Sequence, residues 1–400
     1  MLITSREAAR RLGVKPATLY AYVSRGLLRS SATPDSRERR YYAEDVERLK
    51  RLRRTGRRSG APPKPFDQLS PVLDSAICLI EGGRLYYRGI DAAGLAEHAS
   101  LEETARLLWG AEAPDPFLAA HQTLRRGRGG GAAAVDLSPF DRVRAVLVDL
   151  TSHDVGALDT SPESVIRTGG RLMLALTAGL AGATPGSAPL HEQLASAWRV
   201  RDGADLIRRC LVLAADHELN ASTYVARCVA STGASPYAVV IAALSALSGP
   251  RHGGETSQVE ILLATLTASR DITGEIAGRL QRGERVPGFG HPLYPEGDPR
   301  CVAILDALAA SGFARRSRPV LKVGRDIAQL IGRRPNIDFA LGAVSRVLGL
   351  PRGSGLGMFL LGRTAGWIAH AIEQYASGTL IRPRARYVGV QPETGNSPPI

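Results

Sequence analysis

The sequence predicts a mainly α-helical body preceded by a small basic module. Alanine and leucine recur at helical spacing along the body, for example from Leu101 to Leu108, from Leu206 to Leu213 and from Thr364 to Gln374. The chain carries a formal net charge of +13, and this charge is unevenly spread. Residues 1–65 hold 17 Lys and Arg against 6 Asp and Glu, whereas the rest of the chain holds 34 against 32. This asymmetry indicates a small domain that meets polyanions, joined to a nearly neutral body.

The overall composition excludes several classes of protein. A chain of 400 residues is long enough for two or three domains, and 44% apolar against 22% charged residues excludes wholesale disorder. Apolar stretches such as Tyr237 to Leu247 are shorter than the roughly 18 residues that span a bilayer. The start of the chain is charged where a signal peptide needs an apolar region. We therefore expect a cytoplasmic protein with no membrane partner.

The cysteines indicate neither a disulfide framework nor a zinc site. They show no close pairing and no C-x-x-C spacing, so free thiols are expected. The four positions are Cys78, Cys210, Cys228 and Cys301.

The first part of the basic module has the pattern of two short helices joined by a tight turn. Ser5 is the predicted N-cap of a helix that ends at Gly13. Pro16 can open the next helix, and Gly26 is its predicted stop. Two short helices joined in this way have the proportions of a helix-turn-helix.

The second part of the module is predicted as a basic loop followed by a helix. That final helix runs from about residue 43 to residue 54, and residues 55–67 form a linker rich in Gly, Pro and basic side chains. Residues 1–54 are therefore predicted as one small DNA-binding-like domain. The basic side chains of the loop are Arg37, Arg39 and Arg40.

The module resembles a known class of regulators in two stretches, REAARRLGVKPATLYAYVSRGLL and RRYYAEDVERL. Both are similar to the helix-turn-helix of MerR-like and excisionase-like proteins. The resemblance implies that a recognition helix carries Lys15, Thr18 and Tyr22, and that a wing carries Arg37, Arg39 and Arg40. Basic side chains at these positions would neutralise DNA phosphates. A protein-docking module with a solvated basic face is the alternative.

Two segments of the body depart from the helical pattern. Residues Ile77 to Tyr87 have the character of a β-hairpin around Gly82-Gly83. Residues 125–134, of sequence RRGRGGGAAA, are of low complexity and are predicted as a mobile surface loop.

The body lacks H-E-x-x-H, P-loop and G-x-S-x-G signatures but holds a set of His, Arg and Asp residues, most of them in turns marked by Gly or Pro. Each residue taken alone is typical of an ordinary structural position. Several Arg with several His together suit a small substrate with more than one carboxylate. Asp338 stands between Ile337 and Phe339, so it is a candidate base with a tuned pKa. The set is His217, His252, His291, Arg300, Asp338, Arg363 and Arg382.

This set, in this order, resembles the citrate synthase family. The resemblance runs from about Ala76 to Gly389, beginning with the marker Gly83-Arg84-Leu85-Tyr86-Tyr87-Arg88-Gly89 and ending with RPRARYVG. It implies an α-helical fold with a large and a small domain, at least dimeric. The large domain is placed at residues 68–252 and 348–400, and the small domain at residues 253–347.

The resemblance also implies a role for each residue. Asp338 matches the base that removes a proton from the acyl-CoA methyl group. His252 matches the residue that hydrogen-bonds the forming enol or enolate. His291 matches the residue that polarises the oxaloacetate ketone. Further oxaloacetate ligands are implied at His217, Arg300, Arg363 and, from the neighbouring subunit, Arg382. The backbone that cradles CoA is implied at Val286, Pro287, Gly288, Phe289 and Gly290.

The chain departs from the family in two places near these residues. The family usually has Ala-Asn after the second glycine that follows the enol-binding histidine, and this chain has Glu255-Thr256. Many bacterial relatives carry Arg-Val-Tyr-Lys after the ketone-polarising histidine, and this chain has the stretch Pro292 to Pro295. Both changes bear on the acyl-CoA side of the site.

The resulting expectation is a condensation of oxaloacetate with acetyl-CoA or propionyl-CoA and water, giving citrate or 2-methylcitrate and CoA. No metal or other cofactor is expected. The alternative is a DNA-binding regulator whose citrate synthase-like body serves as a ligand sensor. The presence of Asp338, His252 and His291 favours the enzyme, because a sensor needs only the carboxylate ligands.

Overall fold

The computed structural model divides the chain into two compact units, Met1–Val72 and Leu73–Ile400. It describes residues 2–12, 14, 19, 23, 28–33, 36–47, 73–111, 115–126, 137–385 and 387–390.

The N-terminal unit contains a three-stranded antiparallel sheet. Strand β1 (Leu2–Thr4) pairs with β3 (Ser36–Tyr42), which also pairs with β2 (Ser30–Thr33), giving the order β1-β3-β2. Helix α1 (Ser5–Leu12) follows β1, and residues 43–47 are helical. The first helix of the helix-turn-helix pattern is confirmed, and Leu19 and Val23 of the predicted second helix are helical, whereas Lys15, Thr18 and Tyr22 lie outside the described residues.

Two local predictions for this unit were wrong. The basic segment is a strand and not a loop, because its backbone pairs with strands on both sides; Arg37, Arg39 and Arg40 all lie in β3. The antiparallel pair of β2 and β3 agrees with the wing that the resemblance implies for these arginines. The cap of α1 is Thr4, one residue before the predicted Ser5, because the Glu7 N–H donates to Thr4 Oγ1 at 3.2 Å. The predicted helix to residue 54 is described only over residues 43–47, and the linker at residues 55–67 lies outside the described residues.

The C-terminal unit begins with the predicted hairpin. Strands β4 (Cys78–Glu81) and β5 (Arg84–Tyr87) pair antiparallel around Gly82-Gly83, and β6 (Ile90–Asp91) extends the sheet. Both turn glycines have positive φ, +61° and +76°, which a two-residue hairpin turn of this kind requires.

The rest of this unit is built from helices, as the alanine and leucine periodicity predicts. In chain order the described helices are α2 (Ala92–Leu95), α3 (Leu101–Trp109), α4 (Pro116–Arg126), α5 (Pro139–His153), α6 (Pro162–Ala181), α7 (Leu190–Ala197), α8 (Ala204–Leu213), α9 (Ala221–Ala230), α10 (Pro236–Leu247), α11 (Gly254–Leu266), α12 (Ile272–Gln281), α13 (Pro299–Ala310), α14 (Ala314–Ile331), α15 (Ile337–Leu348) and α16 (Ser354–Ser377). Short 3₁₀ helices lie at Val155–Leu158 and Arg201–Gly203.

Helix α16 forms the centre of the core. Its residues are buried on every side from Ser354 to Ala371, and it packs against α3, α6, α8, α9, α10 and α15. A helix that is apolar all round belongs inside a large domain. The site residue on this helix, Arg363, is therefore held on a rigid support.

The remaining predictions concern the low-complexity loop, the division into domains, the cysteines and membrane-spanning helices. Of the low-complexity loop predicted at residues 125–134, the first two residues end helix α4 and were wrongly predicted, and residues 127–134 lie outside the described residues. The division into a large domain (68–252 and 348–400) and a small domain (253–347) stays a prediction. The four cysteines are free thiols. No helix in the described ranges is long and apolar enough to cross a membrane.

Candidate active site

Helix ends and turns position most of the predicted site residues. His217 lies in the connection between α8 and α9, His252 in the turn between α10 and α11, and His291 in the segment before α13. Arg300 and Asp338 lie in the first turns of α13 and α15. The backbone N–H groups at the starts of these two helices are capped by the side chains of Asp298 and Asn336.

His217, His291 and Tyr294 form a cluster of rings. The ring centres of His217 and His291 lie 5.0 Å apart, edge to face, and His217 Nε2 lies 3.0 Å from the hydroxyl of Tyr294. Burial, followed by the positive charges of Arg300 and Arg363, holds the pKa of His217 well below its usual value. A neutral His217 at pH 7 is thus a hydrogen-bonding group and not a cation.

Arg300 is buried and held in a fixed orientation by Asp298. Its Nε and Nη2 donate to the two oxygens of Asp298 at 2.9 and 2.7 Å. Asp298 also accepts the backbone N–H of Ile337 at 2.9 Å, so it joins the start of α13 to the start of α15. Burial opposes the charge of Asp298, but Arg300 holds its pKa below the usual value. The remaining guanidinium nitrogen carries the donors left for a ligand.

Arg363 is buried, and its terminal nitrogens have no partner in the described part of the chain. Its Nε donates to the carbonyl of Ala214 at 2.8 Å, whereas Nη1 and Nη2 make no hydrogen bond. Burial lowers the pKa of Arg363 from its usual value. A buried guanidinium with unpaired donors is unfavourable unless an anion accepts its hydrogen bonds and balances its charge. This geometry marks the place of a ligand carboxylate.

His252 is linked to a buried hydroxyl. Its Nε2 lies 2.7 Å from Ser222 Oγ, which also accepts the indole N–H of Trp367 at 3.3 Å. Burial, followed by the charge of Arg363, lowers the pKa of His252 to about 4. His252 is therefore neutral at pH 7. Ser222 Oγ also lies 2.9 Å from Oδ1 of Asn220, and its single proton can serve only one of these two acceptors. When the hydroxyl donates to Nε2 of His252, the ring proton lies on Nδ1 and is available to a ligand.

His291 has its tautomer set by the backbone. The N–H of Leu293 donates to His291 Nδ1 at 3.2 Å, so the proton of the neutral ring lies on Nε2. Burial, followed by the charge of Arg300, lowers the pKa of His291 to about 4. His291 thus offers a neutral N–H donor to an oxygen in the site.

Asp338 has the environment of a tuned carboxylate. Its neighbours Ile337 and Phe339 are buried, and its own backbone N–H donates to the side chain of Asn336 at 3.0 Å. Burial raises the pKa of Asp338 to about 7; the hydrogen bond from Thr256 opposes this shift. The hydroxyl of Thr256 donates to Asp338 Oδ1 at 2.5 Å. A carboxylate with this pKa can take and release a proton near neutral pH.

The loop Val286 to Gly290 is braced from two sides. The N–H of Gly288 donates to a carboxylate oxygen of Glu255 at 2.8 Å, and the N–H of Asn336 donates to the Gly288 carbonyl at 2.9 Å. Gly288 has φ of +84°, and a Cβ there would lie 2.7 Å from a methyl of Val259. The loop thus needs glycine, and it presents a fixed, largely buried backbone beside Asp338.

The structure brings together six of the predicted residues and leaves one apart. His217, His291 and Arg300 lie around the ring of Tyr294, whereas His252 and Arg363 both contact the ring of Phe359. The charges of Arg300 and Arg363 act on His217, and the charge of Arg300 also acts on Asp338. Arg382 is exposed in the extended segment after α16 and makes no ion pair or hydrogen bond within the described residues. Its predicted role in a neighbouring site remains a prediction.

Four contact residues escaped the sequence analysis as site residues. Three of them sit close in sequence to residues that it singled out: Tyr294, Asp298 and Ser222. The Asp298-Pro299-Arg300 spacing is a usable signal, because an N-cap Asp two residues before an Arg can fix its guanidinium. Thr256 was noted only as a departure from the family pattern.

Comparison with known proteins decides the family. The family model described as "Citrate synthase, C-terminal domain" matches residues 68–384, more than three quarters of the chain. The chain belongs to the citrate synthase family. It is an enzyme of the citrate synthase type. A relative, the citrate synthase of Haloferax volcanii, is 33% identical over 367 residues, which covers 80% of this chain and 93% of that one.

Other citrate synthase relatives agree in length and fold. The 2-methylcitrate synthase 1 of Corynebacterium glutamicum is 29% identical over 345 residues and covers 78% of this chain and 91% of its own. The crystal structure of citrate synthase from Thermotoga maritima matches with a TM-score of 0.63 and 26% identity, covering 82% of this chain and 96% of that chain. A Thermoplasma acidophilum citrate synthase, solved with carboxymethyl coenzyme A and oxaloacetate, shares the fold at a TM-score of 0.65 and 23% identity, over 84% of this chain and 98% of its own.

The N-terminal unit has a separate match. The family model described as "MerR HTH family regulatory protein" covers residues 3–60. This similarity agrees with the resemblance expected from the sequence and with the sheet formed by β1, β3 and β2. The citrate synthase match begins at residue 68, so the two similarities occupy separate parts of the chain.

Proposed function

We propose that this enzyme condenses oxaloacetate with acetyl-CoA or propionyl-CoA and water, giving citrate or 2-methylcitrate and CoA. One observation carries the proposal. Arg363 is a buried guanidinium with two unpaired nitrogens, and it contacts the ring of Phe359 together with the neutral His252. Its charge and that of Arg300 act on the neutral His217, and Arg300 also acts on the carboxylate of Asp338. The arginines suit a substrate with two carboxylates, and the carboxylate of Asp338 suits the removal of a proton from a carbon of a second substrate. Relatives named citrate synthase and 2-methylcitrate synthase support both acyl donors.

The oxaloacetate half of the site follows from the free donors. Guanidinium groups bind carboxylates in a bidentate way, and the unpaired Nη1 and Nη2 of Arg363 fit one carboxylate of oxaloacetate. Arg300, held by Asp298, and the buried His217 would bind further oxygens of the same substrate. The Nε2–H of His291 would donate to the ketone oxygen and draw electron density from the ketone carbon.

The acyl-CoA half requires a base and an oxygen donor. Asp338 would remove a proton from the carbon next to the thioester carbonyl, and Nδ1–H of His252 would donate a hydrogen bond to the oxygen of the resulting enolate. The enolate carbon then attacks the ketone carbon of oxaloacetate: one carbon–carbon bond forms, the ketone π bond breaks, and its oxygen takes the Nε2 proton of His291 to become a hydroxyl. Water then adds to the thioester carbonyl and the carbon–sulfur bond breaks, so that the product gains a carboxylate and CoA leaves as the thiol. Each step balances without an oxidant or reductant, so we propose no cofactor.

The reaction is tested by following CoA release with a thiol reagent. Purified protein is incubated with oxaloacetate and either acetyl-CoA or propionyl-CoA, and each mixture is repeated without oxaloacetate. We expect release that depends on oxaloacetate, and the ratio of the two kcat/KM values identifies the preferred donor. One methylene is worth only about 1–3 kcal/mol of discrimination, so both donors are expected to react. Oxaloacetate binding without any CoA release would favour the sensor alternative.

The activity is expected to fall in acid. Only the ionised form of Asp338 accepts a proton, and its pKa is raised to about 7. kcat/KM should therefore rise with pH, pass half of its maximum near pH 7 and level off above it. His252 and His291, with pKa values of about 4, stay neutral across this range and should add no second transition. A kcat/KM that stays constant from pH 5.5 to 8.5 would contradict the assignment of Asp338.

We also propose that the enzyme forms a homodimer. Large apolar side chains are exposed on α5 and in the 3₁₀ helix after it: Val148 is 61%, Val155 77% and Leu158 75% exposed. An apolar group of this kind is typical of a surface that a partner covers. The exposed and unpaired Arg382 would then contribute a carboxylate ligand to the site of the neighbouring subunit.

Sharing of sites between subunits predicts complementation. Arg382→Leu and Asp338→Asn are expected to be nearly inactive when each is produced alone. Co-expression gives mixed dimers in which one site holds both native residues, so about a quarter of wild-type kcat should return when subunits assort at random. Differently tagged chains allow the mixed dimer to be isolated. Mixed dimers as inactive as the single variants would show that Arg382 does not act across the interface.

We also propose that residues 1–54 bind DNA. The module matches the MerR regulators, concentrates the positive charge and exposes Arg40 on β3. Deleting residues 1–60 is expected to abolish DNA binding and to leave kcat within about twofold of wild type, because the site lies entirely in the second unit. DNA affinity of the full chain should fall steeply with salt. A large loss of kcat in the deletion would instead assign the module a structural role.

A further inference from the structure

The first turn of α11 contains one of the two places at which the sequence analysis finds a departure from the family pattern. Glu255 and Thr256 stand where the family usually has Ala-Asn, directly after the turn that holds His252. Neither residue has a role in the reaction described above. Both, however, make hydrogen bonds to other parts of the site.

Thr256 contacts the proposed base directly. Its side chain is fully buried, and its hydroxyl donates to Oδ1 of Asp338 from a helix 82 positions earlier in the chain. Within the described residues, Oδ2 of Asp338 has no hydrogen-bond partner. The carboxylate is thus held by one oxygen and free at the other.

The position of Thr256 is itself constrained. A β-branched side chain has few rotamers in a helix, and a Cβ at Gly355 would lie only 2.8 Å from the Thr256 methyl. The glycine at 355 leaves room for this methyl, so the hydroxyl is directed to Asp338 by packing on its other branch.

We propose that Thr256 is the positioning residue of Asp338: its hydroxyl fixes Oδ1 and leaves Oδ2 as the oxygen that takes the proton from the acyl-CoA. This inference rests on the proposed function. A carboxylate that rotates freely would present either oxygen at varying distances, and small errors in position reduce the rate of proton transfer. Thr256 touches the base and not the substrate, so it acts through Asp338.

The neighbouring residue extends the same arrangement. Glu255 accepts the Gly288 N–H at 2.8 Å, and its other oxygen lies 3.8 Å from a guanidinium nitrogen of Arg285. The first turn of α11 therefore contacts both the base and the loop proposed to cradle CoA. The start of α11 thus connects Asp338 to the loop Val286 to Gly290 through hydrogen bonds of two adjacent residues.

The hydrogen bond also bears on the pH profile. The charged or titratable groups that act on Asp338 are Glu255 from α11 and Asp298, Arg300 and Cys301 from the start of α13. Burial raises the pKa of Asp338, and the Thr256 hydroxyl is the main group that opposes this rise. Its removal should therefore shift the fall of kcat/KM in acid, the acidic limb of the pH profile, to higher pH.

The test compares Thr256→Val, which keeps the shape and loses the hydroxyl, with Thr256→Ser, which keeps the hydroxyl. For Thr256→Val we expect kcat to fall about 10- to 100-fold, the acidic limb to move upward, and the KM for oxaloacetate to stay within about twofold. Thr256→Ser should recover most of kcat and the wild-type limb. Thr256→Ala provides the same loss of the hydroxyl if the valine variant does not fold.

The results that would overturn the role of Thr256 differ from the result that would overturn the proposed reaction. Wild-type kcat and an unmoved limb in both Thr256→Val and Thr256→Ala would overturn the inference. A fall in kcat that serine does not rescue, with no change in the pH profile, would assign Thr256 a merely structural role and would also overturn it. Failure of the wild-type enzyme to release CoA would overturn the proposed function itself.

Discussion

Replacing Asp338 with alanine is expected to abolish turnover while oxaloacetate still binds. General-base catalysis contributes about 10²- to 10⁴-fold, so kcat for CoA release should fall by at least two orders of magnitude. Oxaloacetate affinity should change little, because the unpaired donors that mark its site belong to Arg363 and Arg300. Release is measured with a thiol reagent, and binding by calorimetry without acyl-CoA.

Two further variants separate loss of the base from loss of structure. Asp338→Asn preserves shape and the hydrogen bond from Thr256 but cannot accept the proton, so it should be as inactive as alanine. Asp202→Ala removes an exposed carboxylate in a 3₁₀ helix and should leave kcat unchanged. Comparable turnover in wild type and Asp338→Ala would exclude Asp338 as the base.

Replacing Arg363 with methionine is expected to remove oxaloacetate binding and to stabilise the ligand-free protein. Truncating one partner of a buried charge pair costs about 2–5 kcal/mol, so affinity should fall at least about 30-fold. Without ligand, Nη1 and Nη2 of Arg363 are buried and unpaired. An apolar side chain of similar size relieves this burial penalty and should raise the melting temperature. Both effects follow from the two unpaired terminal nitrogens of Arg363.

A second buried arginine provides the matched control. Arg227 donates to Gln374 at 2.8 Å and forms an ion pair with Glu373 at 2.9 Å. Arg227→Met removes the donor to Gln374 Oε1 and the ion pair of Glu373 and should lower the melting temperature, the opposite of the effect at Arg363. Oxaloacetate should raise the melting temperature of wild type and of Arg227→Met, but not of Arg363→Met. A lower melting temperature in ligand-free Arg363→Met would contradict this account.

The sequence predicted the helices because local periodicity encodes them, whereas the candidate site residues came from the resemblance of their motifs to the citrate synthase family. Periodicity defines α3, α8 and α16, and the Gly-Gly turn defines the hairpin of β4 and β5. Strand β3 was missed because SRERRYY has no alternation of apolar and polar residues; its pairing with two neighbours, and not its composition, makes it a strand.

Contacts between distant segments could not be predicted in this way. Tyr294 meets His217 across 77 positions, and Thr256 meets Asp338 across 82. No local pattern reports such pairs, since they depend on how helices pack. The sequence could mark Thr256 as unusual, but only the fold places its hydroxyl on the base.

The most direct test of the central claim is identification of the product. Full-length enzyme is incubated with oxaloacetate and acetyl-CoA labelled with ¹³C at both acetyl carbons, and the acids are analysed by mass spectrometry. The account predicts citrate that carries both labelled carbons, formed by wild type and absent with Asp338→Asn. CoA release that yields labelled acetate and no citrate would show thioester hydrolysis without carbon–carbon bond formation, and would contradict the account.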